Sequence, residues 1–404
     1  MRRVTTQSVC VCSLTLFFLL PLADASDEQP ENEPRAAVPI DVPDGSLEEL
    51  SSFLEKHDKE LNRLFQAGQL GPDLATLGDA VLAGCAKILA DPEISDVLRR
   101  WTLRRRANAQ VILAYVDPAK HYGKLVASLD EYEEQLEDEK YVQTIETYIL
   151  RIGIRIVTAP NNLNDPKPLK LNFDKFVDRL LFYLETYPEP ESTEIVRRLL
   201  DSIKVMPPIQ RDKMMLVTAE RLVPHYLKSK DAGERKLGRE LEATARLLAL
   251  PGKPMLLEGV LPTGEVFDPQ TLKGKVVLVQ FWEPACIHCR TEMPLFADFL
   301  EQYGKKGFEV VGVCIQGNAK VVQDYMKRPL PEGKRITWPI LVDELAPRAE
   351  LLRLAEFYNI KETPVLALIG RDGNVVRVNP LPSALALEIE RALYPTAAVG
   401  NDDH

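Results

Sequence analysis

Cys286 and Cys289 are separated by two residues in the segment Trp282-Glu283-Pro284-Ala285-Cys286-Ile287-His288-Cys289-Arg290-Thr291-Glu292-Met293-Pro294. Before it runs Val276-Val277-Leu278-Val279-Gln280-Phe281, a continuous buried-strand pattern, so the pair falls where a strand gives way to a helix. That placement suits thiol–disulfide exchange. At a helix N-terminus, unpaired backbone N–H groups and the positive end of the dipole stabilise a thiolate, here that of Cys286. Cys289, one turn on, is close enough to close a disulfide with Cys286 and to resolve a mixed disulfide formed there. The expected division of labour is an exposed attacking thiol and a shielded resolving one. Pro294 is expected to kink the helix a turn further along.

A second element is Thr363-Pro364, just before the strand pattern Val365-Leu366-Ala367-Leu368-Ile369. An X-Pro bond here is a candidate for the cis form. Facing a C-x-x-C pair, it would expose the preceding backbone to an extended substrate chain and keep metal-binding geometry away from the thiols. No metal is expected, and no cofactor beyond the redox-active disulfide itself.

The elements that must position these residues alternate. After Pro251-Gly252-Lys253-Pro254 comes a hairpin-like stretch from Met255 to Phe267, turning at Thr263-Gly264. The order that follows is strand 276–281, helix 287–303, strand 309–315, helix 318–327, strand 338–342, helix 347–358 and strand 365–369. Asp372-Gly373 signals a hairpin into strand 374–378, and a last helix runs from Ser383 to Leu393. This predicts an α/β domain over 251–395 with a mixed central sheet. Residues 46–250 predict an all-α helical array. Ser46 and Glu49 form a capping box, and Leu47, Leu50, Leu54, Leu61 and Leu64 share a face. Leu74, Leu77, Val81, Cys85 and Ile88 form a second stripe. Further helices are predicted near 94–115, 119–136, 139–157, 171–187, 192–204, 210–228 and 232–249, several of them separated by Pro punctuation such as Ala159-Pro160. No fixed-period repeat consensus stands out.

Residues 253–395 resemble a thioredoxin-fold domain of the TlpA/ResA type. The matching residues are Gly252-Lys253-Pro254, Lys273-Gly274-Lys275-Val276-Val277-Leu278-Val279, Phe281-Trp282, Cys286-x-x-Cys289-x-x-Glu292-x-Pro294, Trp338-Pro339 before Asp343, and Thr363-Pro364 followed by Asp372-Gly373. The resemblance implies an exported thiol–disulfide oxidoreductase acting on protein thiols and disulfides, often a reductase of apocytochrome c or other periplasmic cysteines, supplied by a membrane-bound electron donor. It also implies that Glu292 helps proton transfer at the buried cysteine, and that Trp282, His288, Thr363 and Pro364 shape or tune the substrate site. The chain departs from the pattern in three places. Ala285 replaces the usual tryptophan, which opens the surface around Cys286. Gln280 replaces thioredoxin's buried aspartate, leaving Glu292 as the motif's nearby carboxylate. His288, next to the resolving cysteine, is similar to the histidine of the oxidant DsbA; protonated, it would stabilise the Cys286 thiolate and raise the potential. The alternative is an exposed helix-start histidine with little effect.

The chain has 404 residues, six cysteines and a formal charge of −10. Six cysteines are too few for a disulfide scaffold at this length. Net acidity disfavours nucleic acid, whose binding depends on cation-driven counterion release. The basic cluster Arg99, Arg100, Arg104, Arg105 and Arg106 is expected to pair with the acidic run Asp130, Glu131, Glu133, Glu134, Glu137, Asp138 and Glu139. His57 and His121 are expected to be structural. Arg2 and Arg3, the apolar run Val9–Leu22 and Ala23-Asp24-Ala25 read as a signal peptide over 1–25 that carries away Cys10 and Cys12. An acidic, Pro-rich leader over 26–45 and a tail over 396–404 are expected to be disordered. The mature chain is therefore expected to be exported, soluble and periplasmic or otherwise extracytoplasmic. Cys85 and Cys314 are expected to be core thiols, and whether they pair is left open. Three functions remain: a dithiol reductase, a disulfide donor running the same chemistry backwards, and an interaction protein whose helical half binds a partner while the α/β domain is a scaffold.

Overall fold

A computed structural model describes residues 39–158, 171–343 and 353–395. The signal-peptide reading, most of the leader, the Ala159-Pro160 break and the tail lie outside these residues. The chain divides into two compact units, at Leu171/Asn172. This differs from a boundary near 250, and Leu247 of the last helix before the sheet joins the core beneath it.

In the first unit, α1 (Leu47–Gln66) opens on the expected capping box. Ser46 N donates to Glu49 at 2.9 Å, and Glu49 N donates to the Ser46 hydroxyl at 3.3 Å. Its buried face (Leu50, Leu54, Leu61, Phe65) packs on α2 (Pro72–Leu89), where all five residues of the second stripe are buried. Next come α3 (Asp96–Val116), α4 (Pro118–Ala127), α5 (Leu129–Leu136) and α6 (Glu139–Thr158). The helix expected over 119–136 breaks at Ser128. There the hydroxyl donates to the Lys124 carbonyl at 3.0 Å and accepts from Gln110, a local bond of the kind that competes with the helical ladder. Three arginines of the cluster pair with the acidic run as expected: Arg100 with Glu137 at 3.2 Å, Arg104 with Asp138 at 2.6 Å and Arg106 with Glu131 at 2.5 Å. Arg105 instead stacks over Trp101, 3.5 Å from the ring centre. His57 Nδ1 bonds the Phe53 carbonyl at 2.8 Å, and His121 is buried.

The second unit begins with α7 (Phe173–Thr186), α8 (Pro190–Lys204), α9 (Pro208–Lys228) and α10 (Ala232–Leu248). Gly238 lets α10 approach α9 closely, because a Cβ there would lie 3.0 Å from the Leu227 backbone nitrogen. Then comes a five-stranded mixed sheet of β1 (Val276–Trp282), β2 (Phe308–Cys314), β3 (Ile340–Val342), β4 (Val365–Ile369) and β5 (Val375–Val378), in the order β3-β2-β1-β4-β5. β1 and β3 run parallel to β2, while β4 is antiparallel to both β1 and β5. The accompanying helices are α11 (Ile287–Tyr303), α12 (Ala319–Lys327), α13 (Leu354–Phe357) and α14 (Leu385–Leu393). Gly373 at φ 83° forms the expected hairpin turn. Of the helix expected over 347–358, positions 347–352 lie outside the described residues. Asp343 anchors α13, accepting from Leu354 N at 2.7 Å and Ala355 N at 3.2 Å.

All seven residues of β1 are buried, which is why its sequence is a continuous apolar run rather than an alternation. The pleat divides them. Val276, Leu278 and Trp282 pack with Met293 and Phe296 of α11 and with α14, whereas Val277, Val279 and Phe281 pack with Leu354, Tyr358 and Leu247 of α10. Gln280 therefore belongs to the face that α11 covers.

Candidate functional site

The site forms where β1 ends. Cys286 caps α11, and its sulfur accepts from Cys289 N at 3.0 Å. The two cysteines are joined by a disulfide with a Cα–Cα distance of 5.4 Å. No acidic residue lies in the first turn of α11 to oppose the dipole that would stabilise a Cys286 thiolate. Cys289 is fully buried and Cys286 is 8% exposed, so Cys286 is the more accessible of the two but not the open thiol expected. Ala285 is exposed, as the loss of a bulky ring there implies. Pro294 lies inside α11, which continues to Tyr303.

Glu292 stands three residues after Cys289, on the same helical face. Gln280 Nε2 donates to its Oε2 at 3.5 Å, a long bond. Gln280 is fully buried, and its Oε1 has no partner among the described residues. Burial pushes the Glu292 carboxyl above its ordinary range, opposed by the Gln280 bond and by the nearby His288. His288 itself is exposed at the start of the helix.

Trp282 is completely buried, with its ring centre 4.8 Å from that of Tyr325. It therefore supports the site from inside the core and does not meet a substrate directly, because β1 is central and covered on both faces. Gly312 on β2 makes room for it: a Cβ there would lie 3.1 Å from Trp282 Nε1. The Thr363-Pro364 bond is cis, as expected. Because β4 runs antiparallel to β1 and pairs Val365 with Phe281, Thr363 and Pro364 lie at the same end of the sheet as the cysteines.

Two contacts escape sequence reasoning. The Thr363 hydroxyl donates to Glu283 Oε1 at 3.2 Å, joining positions 80 residues apart, and the motif's spacing assigns Glu283 no role. The second is a brace from α10 onto the loop before Thr363. Arg246 donates to the Phe357 carbonyl at 2.6 Å and lies 4.2 Å from the Phe357 ring centre. Asn359 donates to the Thr244 hydroxyl at 2.9 Å, and Lys361 pairs with Glu240 at 2.9 Å. Nothing in the period of either segment signals these links. Cys85 and Cys314 are both buried, the Cys85 sulfur donating to the Thr102 carbonyl at 3.7 Å and the Cys314 sulfur to the Gln316 carbonyl at 3.1 Å.

A mixed sheet with a dithiol at the N-terminus of the helix after its central strand is a thioredoxin-like arrangement. Residues 249–389 match the Redoxin family. The chain is 27% identical over 117 residues to the thiol-disulfide oxidoreductase ResA of Oceanobacillus iheyensis, covering 29% of this chain and 54% of that protein. It is 30% identical over 111 residues to the thioredoxin-like protein YneN of Bacillus subtilis, covering 28% and 59%. The chain thus spans a little over half the length of the curated relatives it matches. A solved thiol:disulfide interchange protein of Chlorobium tepidum is 26% identical, with 35% of this chain and 98% of that chain covered and a TM-score of 0.29.

Proposed function

We propose that this protein is an exported thiol–disulfide oxidoreductase that reduces disulfides in other proteins. The observation that carries the reading is the Cys286–Cys289 disulfide at the N-terminus of α11, with Glu292 on the helical face behind Cys289. In the reduced protein, the Cys286 thiolate attacks one sulfur of a substrate disulfide. The other substrate sulfur leaves as a thiolate and takes up a proton. Cys289 then gives its proton to Glu292 and attacks Cys286, expelling the second substrate thiolate and closing the Cys286–Cys289 disulfide. Two electrons pass from the dithiol to the substrate. An external dithiol, on the family resemblance a membrane-bound donor, restores the reduced form. Export rests on Arg2, Arg3, the apolar run after them and Ala23-Asp24-Ala25. Among the described residues, no helix is long and apolar enough to cross a membrane.

A disulfide donor is the second reading, favoured by His288, exposed in the first turn of α11 beside Cys289, where a protonated imidazole would stabilise the Cys286 thiolate and raise the potential. Equilibrating the couple with glutathione separates the two. A potential near the ~−270 mV of thioredoxin supports reduction, and one near the ~−120 mV of DsbA overturns it.

A further inference from the structure

Glu283 is three residues before Cys286 and is held at two points. Its main-chain carbonyl accepts from Cys286 N at 3.0 Å, and its carboxylate accepts from the Thr363 hydroxyl at 3.2 Å. The carboxylate is therefore a fixed negative charge between the backbone that presents Cys286 and the loop that opens β4. Thr363 and Glu283 are both half-buried, while Ala285 and Ile287, which flank Cys286, are exposed, Ile287 by 73%. A substrate sulfur that reaches Cys286 brings its neighbouring residues over this surface.

The charges around it are sorted. On the Thr363 side, the nearest cation in sequence, Lys361, is neutralised by Glu240, and Glu362 is exposed. The positive charges Arg290 and Arg328 act instead on Tyr325, the α12 ring that packs on Trp282. Negative charge thus marks the Thr363 edge of the site, while the exposed cations Arg290 of α11 and Arg328, which follows α12, lie on the side of Tyr325.

We infer that Glu283 is a specificity-determining residue, and that the site takes disulfides in polypeptides carrying Lys or Arg beside the reacting cysteine. The inference rests on the exchange reaction at Cys286 proposed above and leaves its electron balance unchanged. An exposed ion pair favours the matching charge by up to about fivefold, and a like charge is disfavoured by a similar factor. Exchanging Lys for Glu beside the substrate cysteine should therefore change kcat/KM by about tenfold at low salt.

The test uses the reduced full-length protein and two disulfide-bridged peptides that differ only in Lys or Glu beside the cysteines. The wild type should prefer the Lys peptide by about tenfold, mainly through KM, with the preference falling toward unity at high salt. Glu283→Gln keeps an acceptor for Thr363 but removes the charge, and should bring the ratio close to one; Glu283→Lys should reverse it. Thr363→Val, which frees the carboxylate without removing it, should lower the ratio, and Thr363→Ser should restore it. A Glu283→Gln variant that keeps the wild-type ratio, or a wild type without preference, would overturn the inference. If the reduced wild type acts on neither peptide, the exchange reading itself fails, and this assignment fails with it.

Discussion

Replacing Glu292 with Gln isolates the proton from the rest of the site. The amide matches the carboxyl in size and keeps a partner for Gln280 Nε2, so the packing around Cys289 is preserved. What is lost is the acceptor for the Cys289 proton. General base catalysis of this kind contributes ~10²–10⁴-fold, and the lower end applies because Glu292 is only half-buried and water can partly substitute. Resolution of the mixed disulfide should slow by about 10²-fold, while the first attack by Cys286 changes little. The pH dependence carries a sign. Because burial raises the folded carboxyl above its ordinary 4.5, the base becomes available only as pH rises through that raised value. The wild-type resolving rate should climb through this limb, whereas Glu292→Gln should lack it and follow only the titration of the thiol. Stability gives an independent readout. A carboxyl that holds its proton more tightly when folded contributes stability that is complete below 4.5 and is lost as pH rises through the folded value. The stability of Glu292→Gln relative to wild type should therefore increase across that window. Stopped-flow decay of a Cys286 mixed disulfide, measured from pH 4 to 9, is the assay. An unchanged limb in the variant would refute the role given to Glu292.

Three further outcomes follow from the packing. Gly312→Ala should destabilise the second unit by about 1–3 kcal/mol, since the new methyl meets Trp282 Nε1 at 3.1 Å and Ile340 Cγ1 at 3.3 Å; urea unfolding that shows no loss would contradict this contact. Arg246→Ala removes a charged donor to the Phe357 carbonyl and should cost about 1–2 kcal/mol, discounted for partial exposure. Thermal unfolding should register that loss as about 2–4 °C per kcal/mol. Burial, with Asp58 nearby, pushes the Cys85 thiol up to about 12, so Cys85 should resist alkylation in the native protein and label only on unfolding. In the protein with its Cys286–Cys289 pair reduced, native labelling of Cys85 as fast as that of Cys286 would contradict it.

How much was legible depended on whether the cause was local. The capping box at Ser46, the stripe from Leu74 to Ile88 and the run Val276–Phe281 each carry their structure in their own spacing. Cys286, Cys289 and Thr363-Pro364 could be placed because a strand-to-helix junction and a strand start fix where they lie. The split of 119–136 at Ser128 depends on a side-chain bond to Gln110 on another helix, which no period reveals. The division at Leu171/Asn172 was hidden for a related reason: helices on both sides have the same amphipathic pattern, and only tertiary contacts show that Leu247 of α10 joins the core beneath the sheet. The resemblance places Trp282 among the residues that shape or tune the substrate site, but the central position of β1 buries it, which only the assembled sheet reveals. Glu283 and Thr363 meet only once β1 and β4 pair, across 80 residues.

The claim that the protein exchanges disulfides through Cys286, with Cys289 resolving, is tested most directly by intact mass after mixing with a disulfide-bridged peptide. Cys289→Ser, first reduced, should accumulate a covalent adduct with one peptide chain at Cys286, and the reduced wild type should release that chain and close its own disulfide. Cys286→Ser should form no adduct. An adduct mapped to Cys289, or no adduct on Cys289→Ser, would contradict the account.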